Sequence, residues 1–399
     1  MSNNAKVREI FDGNEGILRL LPNLIPRPWG RAGRRLRLHP DDYYAFGTRR
    51  GEIKERWFSS VTAAINDVQS PPDEGMSYVQ TGPGAQDKIL FKDFVDTLGA
   101  DLIGPELQEK YGTWPMYSKF FDFASPLFHH MHLDQEAASR VGRNGKPEAY
   151  YFPFQLNMYE GQFPHTYIGF SPEVTKEEVL ERMKHYEDFD TRLTELSRAY
   201  RLQLGTGWYI PAGVLHAPGS YLTYEPQWNS DVNAIFENVT AGEVNSYGSL
   251  VAQCPEDKKR DWDYIMSLLD WEKNIDPNFR EEYFRPPIVI EENEAYTDKW
   301  ITYGNPYFSA KELTVMPGNS VRIADKAAYG CIIVQGHGEF GSYHDAEAVG
   351  MMRFGQATAD EYFVSEKAAK SGVKIVNASK VEPLVILKHF GPNNTMTRQ

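Results

Sequence analysis

The sequence predicts a mainly β fold with helical insertions, its two strand-rich regions reading as a sandwich or jelly roll each. Two observations lead to this reading, and a third bears on its chemistry. Short strand-like runs bounded by Gly and Pro fill residues 15–80 and recur almost without interruption from 300 to 392. Between them lie blocks whose apolar residues are spaced by three and four, the period of a helix. Histidine, only ten residues in 399, crowds into "HHMH" at 129–132.

Taken in order, "GILRLLPNLI", "RRLRLH" and "ERWFSSVTAAIN" read as short strands and turns. From 88 to 122 the pattern turns helical, with "KDFVDTLGADLIG" and "WPMYSKFFDFA". Strand-like text resumes at 126–133 and 148–157. A helical block follows, opened by Ser171-Pro172 and by Thr175 with Glu178 at capping-box spacing. Val179, Leu180, Met183 and Tyr186 form one face of it, and Phe189, Leu193, Leu196 and Tyr200 the next. Strands return at "GWYIPAG" and "NAIFENVT". Residues 255–274 place Trp262, Ile265, Leu268, Leu269 and Trp271 at helical spacing, as core residues. The last strands are "KELTVMPGNSVRI", "GCIIVQGHGEF", "DEYFVSE", "GVKIVNA" and "EPLVILKHF". Residues 1–87, 123–170 and 203–245 are expected to build the metal-binding jelly roll, with helical segments 88–122, 171–202 and 255–275 packed on it. Residues 295–399 are expected to form a second jelly roll; its His337 and His389 are isolated, so no metal is expected there.

Length and composition narrow the function classes. A chain of 399 residues, 41% hydrophobic and 13% aromatic, buries a substantial core. No apolar run approaches the roughly 18–20 residues that span a bilayer, and the N-terminus shows no secretory signal. Cys254 and Cys331 stand far apart without metal-type neighbours, so a reducing, cytoplasmic setting is expected. A net charge of −13 argues against nucleic acid. The expected partner is a small molecule, for a monomer or homo-oligomer, with neither membrane nor nucleic acid. One local exception is "RPWGRAGRRLRLH" (27–39), whose five arginines read either as a solvated loop or as an anion site.

The chemistry concentrates in "HHMHLDQEAASRVGRNGKPE" (129–148) and "GTGWYIPAGVLHAP" (205–218). Strand alternation points His130 and His132 to one face and His129 to the other. Glu148 opens the next strand, and His216 follows a P-x-G turn. Three imidazoles and one carboxylate, if they converge, bind a divalent transition metal and leave a position or two for substrate.

These H-x-H…Glu and P-x-G-x-x-H segments resemble the two motifs of the cupin superfamily, a jelly-roll fold. Within it the chain resembles the type I phosphomannose isomerases. "PLFHHMHLD", "GKPEAYYF", "GFSPEVTKEEVLERM" and "WPMYSKFFDFASPL", with "RPWG" and "KERWFSS" before them, follow that family's motifs in order over residues 20–240. The resemblance implies a metal-dependent aldose–ketose isomerase. It implies ligands at His130, His132, Glu148 and His216, a pocket lysine at Lys146, and pocket positions at Trp29, Glu55 and Asp231. Arg31 and Lys119, from the arginine run and the "WPMYSKFF" segment, join Trp29 as substrate-binding candidates.

Two departures stand out. His130 replaces the family's Gln, so that zinc is the first expectation while iron, manganese or nickel suit the donors as well. In "SDVNAIFENVTAG" the family's phosphate-binding arginine is missing, and Asn233, Ala234 and Ile235 stand there; the sugar is phosphorylated or free. The implied reaction moves a proton between C1 and C2 through a cis-enediol, with Lys146, Asp231 and Glu55 as candidate bases. The competing expectations are an iron(II) cupin dioxygenase and a non-catalytic sugar-binding metal cupin.

Overall fold

The computed structural model describes residues 3–66 and 70–396. Its frame is two seven-stranded antiparallel sheets lying back to back. The first runs, from edge to edge, Phe284–Arg285, Gly207–Ile210, Glu148–Tyr151, Thr223–Trp228, Met116–Phe121, Glu52–Phe58, Asn23–Arg27. It faces a five-stranded sheet, ordered Ser197–Arg201, His165–Phe170, His216–Ala217, His130–Met131, Ala234–Ile235. These two sheets enclose the first jelly roll.

The second jelly roll pairs a seven-stranded sheet with a four-stranded one. The larger runs Ile17–Arg19, Glu361–Val364, Tyr329–Gln335, Leu384–Phe390, Ser309–Val315, Tyr296–Thr302, Ile288–Glu292. The smaller runs Ser320–Ile323, Val373–Asn377, His337–Phe340, Tyr343–Glu347. The fold is mainly β, as the sequence predicts.

Period-two alternation decides what each large sheet shows to its neighbour. In the first, Phe58, Phe120 and Tyr224 point away from the barrel interior and pack against Ile332, Val385 and Leu387 of the second sheet. Phe58 and Phe120 meet edge to face at 4.8 Å. Polar groups on this face are paired across the seam. Arg56 makes two 2.8 Å bonds to Asp360, Tyr151 donates to Glu312 at 2.6 Å, and the Tyr224 hydroxyl lies 2.9 Å from His389 Nδ1. The intervening residues of the same strands, Glu55, Lys119, Glu225 and Glu148, face the other way, into the first barrel.

Helices cover the exposed backs. Lys176–Met183, Tyr247–Val251 and Trp262–Ser267 bury Val179, Met183, Leu250 and Ile265 against Met131, Leu133 and Leu215 behind the five-stranded sheet. Phe91–Leu98 and its short successors pack with Trp114 and Phe363 at one end of the molecule. Among the described residues no helix is long and apolar enough to cross a membrane.

Several local expectations change. Residues 116–121, read from their spacing as helix, form a central strand. Four of its six positions are apolar or aromatic and all six are buried, so the run carries no clear period, and its aromatic content favours the strand. The helix expected to continue through Tyr200 ends at Met183; Phe189 is exposed, and Tyr200 sits in the strand Ser197–Arg201. The 255–274 block breaks into Glu256–Lys258, Trp262–Ser267 and Trp271–Asn274. Asp261 and Asp270 cap the last two, accepting from the N–H groups of Tyr264 and Lys273. A helix over Asn3–Gly13 was not anticipated, and Ile17–Arg19, expected in the first jelly roll, pairs with Glu361–Val364 of the second.

Truncating Phe120 to Ala removes the ring at the centre of the seam and should cost about 3–5 kcal/mol of stability, read by denaturant unfolding. His389 adds a pH dependence. Burial lowers its pKa from 6.5 to about 3, so below pH 6.5 the unfolded chain takes up a proton that the native state refuses. Stability should therefore fall as the pH drops from 6.5 toward 3, by about 1.4 kcal/mol per pH unit. His389→Gln should flatten that limb of the pH profile.

Candidate metal centre

The "HHMH" segment enters the five-stranded sheet as a two-residue strand, with His130 paired directly to His216. The turn before His216 holds Gly213 at φ +80, a conformation that suits glycine, and its N–H donates to the His132 carbonyl at 2.8 Å. The two ligand segments are thereby tied to each other. Across the interior, Glu148 projects from the facing sheet.

The three imidazoles converge: one ring nitrogen of each lies within 4.8 Å of the others, and all three rings are buried. What fixes their orientation is the other nitrogen. Nδ1 of His130 sits 2.9 Å from the Phe128 carbonyl, that of His132 2.7 Å from Val232 O, and that of His216 2.8 Å from Val214 O. A carbonyl only accepts, so each Nδ1 carries the proton and each Nε2 turns a lone pair inward. Burial drives the His130 pKa well below 6.5, with the neighbouring imidazoles adding to it. Burial also takes His132 to about 3, so both rings are neutral at pH 7.

Glu148 faces these imidazoles from the opposite sheet. Its Oε2 lies 2.9 Å from His132 Nε2 and its Oε1 3.3 Å from His216 Nε2. Burial raises this carboxyl, yet His132 and Lys146 pull it well below the usual range. Lone pairs thus face a carboxylate, and His216 Nε2 has no hydrogen-bond partner despite being buried. Such a convergence of inward lone pairs around a carboxylate suits a divalent cation, and the nitrogen and oxygen donors fit one. Lys146 Nζ supplies part of the positive charge, 2.7 Å from Glu148 Oε2 and 3.1 Å from His132 Nε2. The Tyr150 hydroxyl donates to Glu148 Oε1 at 2.6 Å.

The cleft above this cluster is lined by the remaining charged residues of the same sheet face. Arg27 holds Glu55 through Nε and Nη2 at 3.0 and 3.1 Å, and reaches Asp231 at 3.2 Å. Lys119 lies 3.1 Å from Glu225 and 3.9 Å from Glu55. Burial would raise Glu55, but Arg27 and Lys119 bring it to about 2. Glu225 behaves oppositely: burial and the nearby Glu148 push it up to about 8.

His130, His132, Glu148 and His216 come together, and Lys146, Glu55, Asp231, Lys119 and Trp29 all line the cleft. Arg31 does not; it is exposed outside the lining. His129 points away, with its N–H and Nδ1 on Glu237. The arginine run is mostly structural. Arg35 is buried on Asp122, Arg34 pairs with Glu52, and Arg37 donates to the Val334 and Val349 carbonyls. Sequence reasoning missed Arg27, Tyr150 and Glu225. The available signal for Glu225 was a carboxylate two residues from Gln227 inside the apolar strand "TYEPQW", the mark of a polar inward face.

No protein-family model matches the chain, and no curated protein sequence does. Solved structures do. A candidate mannosephosphate isomerase from Archaeoglobus fulgidus is 16% identical with a TM-score of 0.61, covering 94% of this chain and 97% of its own. The mannose 6-phosphate isomerase of Bacillus subtilis is 15% identical at TM-score 0.61, over 94% and 99%. A histidine-to-alanine mutant of phosphomannose isomerase from Salmonella typhimurium is 11% identical at TM-score 0.60, over 95% and 100%. The resemblance read from the sequence holds at the level of the fold, along nearly the whole chain.

If the cluster binds a cation, metal analysis of the purified protein should find about one equivalent. His132→Ala and His216→Ala should lose it, whereas His129→Gln should keep it. Full metal retention in the two alanine variants would sink the ligand assignment.

Proposed function

We propose that the protein is a metal-dependent aldose–ketose isomerase that interconverts sugars by moving a proton between C1 and C2. The observation that carries this reading is the joint burial, at the floor of one cleft, of the three inward Nε2 lone pairs with Glu148 and, beside them, of Lys146 and Glu225. The fold neighbours named as mannose 6-phosphate isomerases support it. His130, His132, His216 and Glu148 would hold the cation, zinc as the first expectation, which supplies Lewis-acid stabilisation of the oxygens at C1 and C2.

The protein's own groups handle the proton. Lys146 Nζ stands 2.7 Å from Glu148 and 3.5 Å from Glu225, between the ligand carboxylate and a carboxyl that titrates near neutrality. This pair suits a transfer that must run in both directions at pH 7. Glu55, one of the bases expected from sequence, is ill suited, because a carboxylate with a pKa of about 2 holds a proton poorly. Asp231 accepts from Arg27 and from the Ile65 N–H at 2.7 Å, which fits it to shape the cleft. Trp29 lines the cleft and supplies aromatic surface for a sugar.

The three-imidazole, one-carboxylate donor set also suits iron(II), which makes a cupin dioxygenase the second reading. Oxygen consumption by the iron-loaded protein would favour it. For an isomerase, turnover of an aldose in deuterium oxide should place solvent deuterium at C1 of the ketose and at C2 of the recovered aldose. Lys146→Met should lower kcat by about 10²–10⁴ with metal content unchanged. Product without any solvent label would point to hydride transfer instead.

A further inference from the structure

We infer that this cleft takes an uncharged sugar in preference to its phosphate ester, an inference that rests on the isomerase reading above. Each cation lining the cleft is buried and already engaged by carboxylates. Arg27 gives Nε and Nη2 to Glu55, Nη2 also to Asp231, and Nη1 to the Ile65 carbonyl at 2.9 Å. Lys119 lies between Glu225 and Glu55, and Lys146 between Glu148 and Glu225. Each of these three side-chain cations is thus already paired with a carboxyl group.

A phosphate group has two ways to bind such a surface, and both are unfavourable. It can displace a carboxylate from Arg27 or Lys119, leaving that carboxylate buried without its partner. Alternatively it can sit beside the intact pairs, where its two negative charges meet Asp231 and Glu55 across a poorly solvated gap. Elsewhere the lining includes Trp29, Leu127, Phe128, Pro218 and Asn233, none of them cationic. Two aromatic rings, two aliphatic side chains and an amide suit the C–H face and hydroxyls of a neutral pyranose or open-chain sugar. Arg31, the unburied arginine of the 27–37 run nearest in sequence to Trp29, stays outside the lining.

The test uses the metal-loaded full chain and two parallel measurements. In the first, D-mannose, D-glucose and D-ribose are compared with their terminal phosphates by kcat/KM for ketose formation. In the second, calorimetric titration compares D-mannitol and D-glucitol, which cannot isomerise, with their 6-phosphates. The free compound should be favoured tenfold or more, the factor that about 1.4 kcal/mol represents. Preference for the phosphate, equal affinity, or no measurable binding of either alditol overturns the inference. A protein that isomerises sugar phosphates faster keeps the isomerase reading and loses this one. One that binds the free alditol but isomerises nothing keeps this one and loses the isomerase reading.

Discussion

Charge buried on one face of a sheet is the constraint on which the rest of this structure depends. Glu55, Lys119, Glu225 and Glu148 stand on neighbouring strands of a single seven-stranded sheet, and all are almost fully buried. No one of them could be buried alone, because an isolated charge in a poorly polarisable interior is prohibitively costly. They persist as a connected set. Arg27 and Lys119 fix Glu55, Lys119 and Lys146 share Glu225, and Lys146 and Tyr150 hold Glu148. Glu148 sits where that set meets the three imidazoles, so the chemistry of the site and the electrostatics of the sheet are one problem.

The opposite face of the same sheet explains why the interior can be so polar. Phe58, Phe120 and Tyr224 supply a continuous apolar seam with the second sheet, and that seam buries the area which holds the strands in register. The second jelly roll, expected to have no metal, works here as the hydrophobic backing of the first. Its own polar insertions at the seam, Asp360, Glu312 and His389, each meet a partner from the first sheet. The two barrels are therefore matched to each other residue by residue and are not merely adjacent.

The parts legible from sequence were those with a local signature. H-x-H on a strand, the later Glu and the P-x-G-x-x-H turn specify His130, His132, Glu148 and His216 because alternation and a glycine turn are short-range facts. The strand at 116–121 was misread because burial on both faces erases the period that distinguishes strand from helix. Glu225 and Arg27 were missed because their importance lies in neighbours brought together by sheet pairing, some thirty to two hundred residues away along the chain. The arginine run, readable either as a solvated loop or as an anion site, stayed open for a related reason. Five like charges in thirteen residues suggest a surface for anions, but what each one meets is set by tertiary carboxylates and carbonyls that no local pattern reveals.

The pairing of Ile17–Arg19 with Glu361–Val364 has a consequence for the order in which the molecule forms. The next strand, Asn23–Arg27, belongs to the first barrel and carries Arg27 into the cleft. Three residues of connection thus join the outer edge of one sheet to the outer edge of the other. During synthesis this edge strand of the second barrel leaves the ribosome more than three hundred residues ahead of the strand it must pair with. Until then it waits unpaired while the first barrel can already assemble around its neighbour. Closure of the second barrel is accordingly among the most non-local steps the chain takes, and a slow one by the ordinary dependence of folding rate on contact order. A nascent chain halted before residue 361 would carry an open sheet edge, the kind of surface on which chaperones act and from which aggregation starts.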